Sequence, residues 1–172
     1  MLRQLRSIRR SLPDSVFQSL IVALVTQRLD NGNATLADIP TFQHRRLQSV
    51  LNAAARLIRR SSRHEHVTPL LRDLHWLQSR ERIDFKLAVL VYRCLHGLAP
   101  RCLSDHFQRV ASYNRRRLRS SSSSLLIRPT RLITVGDRAF PVAGSRLWNS
   151  LYRTSSHQLR LSLFSGINSK LI

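Results

Sequence analysis

LHWLQSRERIDFKLAVLVYRCLHG, residues 74–97, is the stretch whose reading decides the fold. It carries two histidines, a cysteine, two carboxylates and a tryptophan among basic side chains, the residue types of an active site. Its spacing argues for a helix instead. Ser79 reads as an N-cap, the helix runs from about Arg80, and Gly97 stands where a left-handed C′ residue belongs. At ~100° per residue, Ile83, Leu87, Leu90, Val91 and Cys94 form one apolar stripe. Phe85, Val89 and Tyr92 cluster on another side, and Arg82, Lys86 and Arg93 keep a narrow basic strip. A helix that is apolar on two sides is expected at the centre of a helical bundle.

The carboxylates of this stretch have structural work available. Glu81 sits near the positive end of the helix dipole, and Asp84 is within a turn of Arg80. The thiol and imidazoles do not assemble a metal centre by spacing. Structural zinc sites use two close ligand pairs. Cys94-x-His96 and Cys102-x3-His106 come nearest, but positions i and i+2 on a helix point ~160° apart. His64, His66 and His75 read as surface or capping residues. No Gly-x-Ser-x-Gly elbow, Gly-x4-Gly-Lys loop, Gly-x-Gly-x2-Gly turn or adjacent aspartate pair occurs. Catalytic and metal-ligating residues are therefore both expected to be none, and no cofactor is expected.

Upstream, Thr41 or Pro40 opens a second long helix ending near Arg60. Leu47, Val50, Leu51, Ala54, Leu57 and Ile58 share one face. Arg45, Arg56, Arg59 and Arg60 fall on the other, with Gln48, Ser49 and Asn52 between or beside them. No acid occurs between Pro40 and His64, whereas a solvated helix usually mixes signs along its polar face. The segment VFQSLIVALVTQRL, capped by Asp14 or Ser15, is apolar around most of its circumference and is expected to be buried. Thr68 and Pro69 read as N-cap and N1 of a short helix over LLRDLHWL.

The remainder is less regular. Pro100 starts a short segment, and RRRLRSSSSS joins a basic run to a serine run in the manner of a linker. Short apolar runs over residues 124–142, broken at Pro129-Thr130 and Gly136-Asp137, predict a small hairpin. AGSRLWNSLY returns to helical spacing, with Leu147, Trp148 and Leu151 able to pack together. The fold expected is mainly α, a helical bundle with short helices and a small C-terminal β-hairpin. Its parts are a helical domain over 1–112, a basic, serine-rich linker or loop over 113–124, and a hairpin plus short helices over 125–172.

Charge narrows the function. The 172 residues carry 29 Lys and Arg against 9 Asp and Glu, a net charge of +20, and all but two of the basic residues are arginine. Arginine makes bidentate phosphate contacts and stacks on bases. Such an excess costs self-repulsion unless a polyanion neutralises it, so RNA or DNA is the leading partner and an anionic membrane surface the second. The two cysteines, Cys94 and Cys102, make no disulfide framework. No apolar run reaches the ~20 residues of a membrane span. MLRQLRSIRRSLP has the arginine-rich, acid-free pattern of a mitochondrial presequence, the minor alternative to a basic leading helix in a nuclear or cytoplasmic protein. The expected binding residues are Arg45, Arg56, Arg59 and Arg60, assisted by Arg115, Arg116, Arg117 and Arg119. His75, Trp76 and Tyr113 offer rings for stacking on unpaired bases, although Trp76 and Trp148 suit a core.

Several ordered blocks also resemble one family. QSVLNAAARLI, then HVTPLLRDLHWLQSRERIDFKLAVLVYRCLHGLAP, RRRLRSSSSSLLI and VGDRAFPVAGSRLWNSL look like the C-terminal region of reverse transcriptases from non-LTR (LINE-type) retrotransposons. SIRRSLPDSVFQSLIVALVTQRLDNGNATLADIP is similar to the segment that precedes it there. The likeness covers about Ser7 to Tyr152. Asn31, Gln78 and Tyr152 depart from it, standing where the family commonly has tyrosine, proline and proline. The family's enzymes are magnesium-dependent, RNA-directed DNA polymerases. The resemblance implies a thumb and post-polymerase region that grips a template–primer duplex or element RNA. It lacks the palm and endonuclease blocks and so has no catalysis of its own. It implies a truncated element copy or gene fragment, with the missing polymerase portion as a further partner. The alternative reading is an inert or self-associating fragment with no nucleic-acid role, its apolar face left uncovered.

Overall fold

The computed structural model describes residues 2–32, 35–110, 125–127, 136 and 139–154. They are mainly helical. In chain order the elements are α1 (Leu2–Ile8), a 3-10 turn (Arg9–Ser11), α2 (Asp14–Ile21), a π-helical turn (Val22–Thr26) and α3 (Gln27–Asp30). Then come α4 (Thr41–Arg59), α5 (Val67–Asp73), α6 (Ser79–Leu95), α7 (Arg101–Ser104) and α8 (Phe140–Thr154). The chain divides into two compact units, Met1–Ile83 and Asp84–Ile172, so α6 runs through the division. The expected linker over 113–124 lies outside the described residues.

The first unit is organised by α4. Leu51, Ala54, Ala55 and Ile58 are buried on it, and Phe17, Ile21 and Val25 from α2 and the π turn join the same cluster. Leu5 of α1 with Leu71 and Leu74 of the α5 region complete the core, and half-buried Trp76 packs against it. Burying each large aliphatic side chain contributes roughly 1.5–3 kcal/mol. The amphipathic reading of α4 therefore holds, except that Val50, at the edge of the stripe, remains partly exposed. The α2 segment is less buried than its largely apolar circumference suggests. Val16 is 50 % exposed and Ala23 is open to solvent, because the neighbouring helices cover one side of this segment only.

Helix starts differ from the cap residues expected. α2 begins at Asp14 itself, with Pro13 at the cap position and no side-chain cap. Asp14 is drawn instead to Arg9. α5 begins at Val67, earlier than the Thr68 cap expected, and ends at Asp73. Pro69 is then the third helical residue. That is tolerated because the first helical N–H groups have no intrahelical acceptor to lose. The chain leaves α5 through His75 at φ 53, with the Trp76 N–H donating to the Leu71 carbonyl at 2.8 Å.

α6 starts at Ser79, whose N–H donates to the Gln48 Oε1 at 2.7 Å, while Glu81 reaches back to accept the Gln78 N–H at 3.1 Å. The latter is the carboxylate half of a capping box, closed on Gln78. Arg82 pairs with Asp30 side-on, its Nε donating to Oδ1 and its Nη2 to Oδ2 at 2.8 Å. Of the predicted stripe Ile83, Leu87, Val91 and Cys94 are buried and Leu90 is half-buried; Ala88, outside the stripe, is buried too, and Phe85, Val89 and Tyr92 are half-buried.

In the second unit Val91 and Cys94 pack with Phe107 and Leu126, flanked by Phe140 and Trp148. The Phe107 and Phe140 rings meet edge to face at 5.0 Å. α8 begins at Phe140, ahead of the expected Ala143, and so takes in residues assigned to the end of the hairpin. Pro141 is acceptable there for the same first-turn reason as Pro69. Its buried positions are Val142, Ala143, Gly144 and Ser145, one turn before Leu147, Trp148 and Leu151, which are half-buried. Leu126 pairs as an isolated antiparallel bridge with Arg109. The Asn149 side chain accepts the Leu126 N–H at 2.9 Å and donates to its carbonyl at 3.0 Å. Most of the predicted hairpin, residues 128–135 and 137–138, lies outside the described residues.

Candidate nucleic-acid interface

The acid-free polar face of α4 is the natural place to seek a polyanion site. It divides into two ends with different environments. At the C-terminal end the arginines are engaged. Arg56 is half-buried and its Nη2 donates to the Glu65 carbonyl at 3.2 Å. Arg59 lies 3.9 Å from Asp73 with both side chains largely exposed, an arrangement worth little in water. Arg60 closes the helix in the left-handed region at φ 55, and its Nη2 donates to Asp14 Oδ1 at 3.3 Å. Basic residues in the last turn also face the negative end of the helix dipole.

Asp14 is shared. Arg9 donates to the same Oδ1 at 2.8 Å, and its guanidinium also donates to the carbonyls of Leu57 and Ile58 at 3.3 and 3.2 Å. Arg9 is buried and lies over the Phe17 ring at 4.5 Å. One arginine thus joins the 3-10 turn, the start of α2 and the last carbonyls of α4. Its hydrogen bond and charge, with a smaller contribution from Arg60, hold the Asp14 carboxyl below the usual carboxylate range.

The N-terminal end of the α4 face is open. Arg45 and Arg46 are exposed, and among the described residues no carboxylate pairs with either. The Arg46 guanidinium lies 5.9 Å from the centroid of Phe42, one turn earlier on the same face. Arg3, Arg6 and Arg10 are exposed on the N-terminal segment. Arg45 and Arg60 are fifteen helical steps apart, about 22 Å at 1.5 Å per residue.

The four α4 arginines expected from the sequence are therefore not equivalent. Arg56, Arg59 and Arg60 gather at one end beside acceptors from other segments, and Arg45 stands at the other. Arg115, Arg116, Arg117, Arg119 and Tyr113 lie outside the described residues. Arg46 and Phe42 were not among the expected residues, although their i, i+4 spacing in TFQHRR is a readable signal. Of the other stacking candidates, Trp76 is partly withdrawn onto the core and His75 is exposed.

The remaining chemistry-bearing groups are dispersed. Burial pushes the Cys94 thiol up, and Cys102 adds to the effect; Cys102 itself is exposed. His96 stacks on Tyr92 with ring centroids 4.1 Å apart. Among the described residues no three His, Cys, Asp or Glu side chains converge as a metal site, and no helix is long and apolar enough to cross a membrane. In comparisons with known proteins, no family model, curated protein or solved structure matches the chain.

Proposed function

We propose that the chain binds RNA or DNA through the phosphate backbone, without reading sequence, and has no catalysis of its own. In this reading it is a remnant of the thumb and post-polymerase region of a LINE-type reverse transcriptase. The observation that carries the binding proposal is the open end of α4, where Arg45 and Arg46 stand exposed without a carboxylate partner among the described residues. The net charge of +20 supports it, because a polyanion relieves the self-repulsion of such a chain. The ordered sequence blocks from Ser7 to Tyr152 support the family assignment. Template–primer duplex is the ligand that reading favours, with the absent polymerase portion as a protein partner.

Fluorescence anisotropy with a labelled RNA–DNA duplex, titrated over a range of salt, tests the binding. If about five phosphates are neutralised, log affinity falls against log salt with a slope near −4 to −5. Arg45→Ala with Arg46→Ala should reduce the slope by about 2 while the fold is kept. An affinity that ignores salt, or one unchanged in the double variant, sinks this assignment of the interface. Sedimentation with and without the duplex separates it from the alternative, in which the chain self-associates and ignores nucleic acid.

A further inference from the structure

Phe42 is 55 % exposed, whereas the rings of Phe17, Trp76, Phe85, Tyr92, Phe107, Phe140 and Trp148 are buried or half-buried. The ring lies outside the core cluster that the apolar stripe of α4 joins. Its surroundings are basic. Arg45 and Arg46 follow at i+3 and i+4 and so share its face, and the Arg46 guanidinium lies within cation–π range of its ring at 5.9 Å. The nearest acid on the C-terminal side is Glu65, beyond the end of the helix, and on the N-terminal side Asp38, four residues before Phe42, lies outside the helix and has contacts of its own. This end of α4 thus combines a ring with two cations of one sign.

We infer that Phe42 is a stacking platform for an unpaired base of single-stranded nucleic acid, with Arg45 and Arg46 taking the flanking phosphates. The inference rests on the nucleic-acid reading above and adds to its duplex an unpaired strand as a ligand of this end of α4. A base fits both parts of the site. Its π-face covers the phenyl ring, and its backbone carries the charge that two arginines complement. An apolar protein partner would cover the ring but leave both guanidinium groups desolvated and unpaired, which is costly. Duplex nucleic acid would meet the arginines and leave the ring idle, since its bases are already stacked on one another. The platform is sequence-tolerant because every base offers a π-face.

The full chain is titrated with three labelled probes: a twelve-nucleotide oligouridine, the same backbone lacking bases, and a twelve-base-pair RNA duplex. Stacking of one base on one aromatic ring changes affinity by about 5- to 150-fold. Phe42→Ala should therefore weaken oligouridine binding by about that factor, and Phe42→Trp should preserve it. Binding of the abasic strand and of the duplex should change less than about twofold in either variant, since neither probe has an unpaired base to stack. Thermal unfolding of both variants should match the parent, as the ring is largely outside the core. Oligouridine affinity unchanged in Phe42→Ala, beside salt-dependent duplex binding, overturns the platform and leaves the backbone-binding reading intact. Failure of all three probes to bind overturns both. Equal losses of duplex and oligouridine affinity also overturn the platform, since they place the ring's effect on the fold or on phosphate contacts.

Discussion

Asp14 illustrates how a single residue can be misread by position and recovered by partners. As an acid at the head of an apolar segment it looks like an N-cap, yet it lies inside the first turn of α2 and answers two arginines. The Arg9 hydrogen bond and charge lower its carboxyl below the usual range, so the folded value lies under the unfolded one. The contribution is fully present above the unfolded carboxylate value and is lost as pH falls through the lowered folded value. Asp14→Asn should therefore unfold at a lower temperature than the parent near neutral pH, and the gap should close as the pH falls below the usual carboxylate range. A gap that persists unchanged in acid would assign the loss to the start of α2 and not to the charge. Arg9 was legible only as one of several arginines in a basic leader. Its burial depends on the Leu57 and Ile58 carbonyls, 48 and 49 residues away, and no local pattern encodes that distance.

At the scale of elements, periodicity carried most of the reading. The apolar stripes of α4 and α6 were visible because a packed helix must repeat near 3.6 residues, and Leu51, Ala54, Ile58, Leu87, Val91 and Cys94 are buried where that repeat puts them. Helix starts were less visible, since Pro is acceptable at more than one first-turn position and Gln78 can be capped by Glu81 without any cap of its own. The arginine face of α4 was legible as a pattern, but its division into an engaged and an open end was not. That division is set by Asp14, Glu65 and Asp73, which arrive from other segments.

α8 adds a constraint that hydropathy does not record. Gly144 is buried, and a Cβ there would stand 2.9 Å from both Phe107 Cζ and Val91 Cγ2. Alanine is favoured over glycine in a helix by about 1 kcal/mol. Overpacking a filled core costs about 1–3 kcal/mol. Both neighbours are themselves buried, so the steric cost should win. Gly144→Ala is expected to lower the urea midpoint with an unchanged slope, and a raised midpoint would mean that Phe107 can swing aside.

For the whole molecule the dominant quantity is charge. A net +20 on 172 residues sets self-repulsion against a few ion pairs, of which Arg59–Asp73 and Arg60–Asp14 are well exposed. Exposed pairs contribute about 0–1 kcal/mol each and are screened by salt along with the repulsion. Lysines and arginines together outnumber acids more than threefold, so repulsion between unpaired cations should be the larger effect. The free chain should then melt at a higher temperature as salt is raised from about 0.05 M to about 0.5 M, because the Debye length shortens from about 14 Å to about 4 Å. Nucleic-acid affinity should move the opposite way over the same range, since counterion release becomes less favourable. At low salt, saturating duplex should raise the melting temperature of the chain, because a ligand that binds only the folded state stabilises it by mass action. At high salt that gain should vanish while the free chain is at its most stable. Differential scanning fluorimetry with and without duplex, across salt, reads both trends in one experiment. A melting temperature that falls with salt in the absence of nucleic acid would mean that the ion pairs around Asp14, Asp30 and Asp73 outweigh the unpaired arginines. The chain's charge would then no longer call for a polyanion.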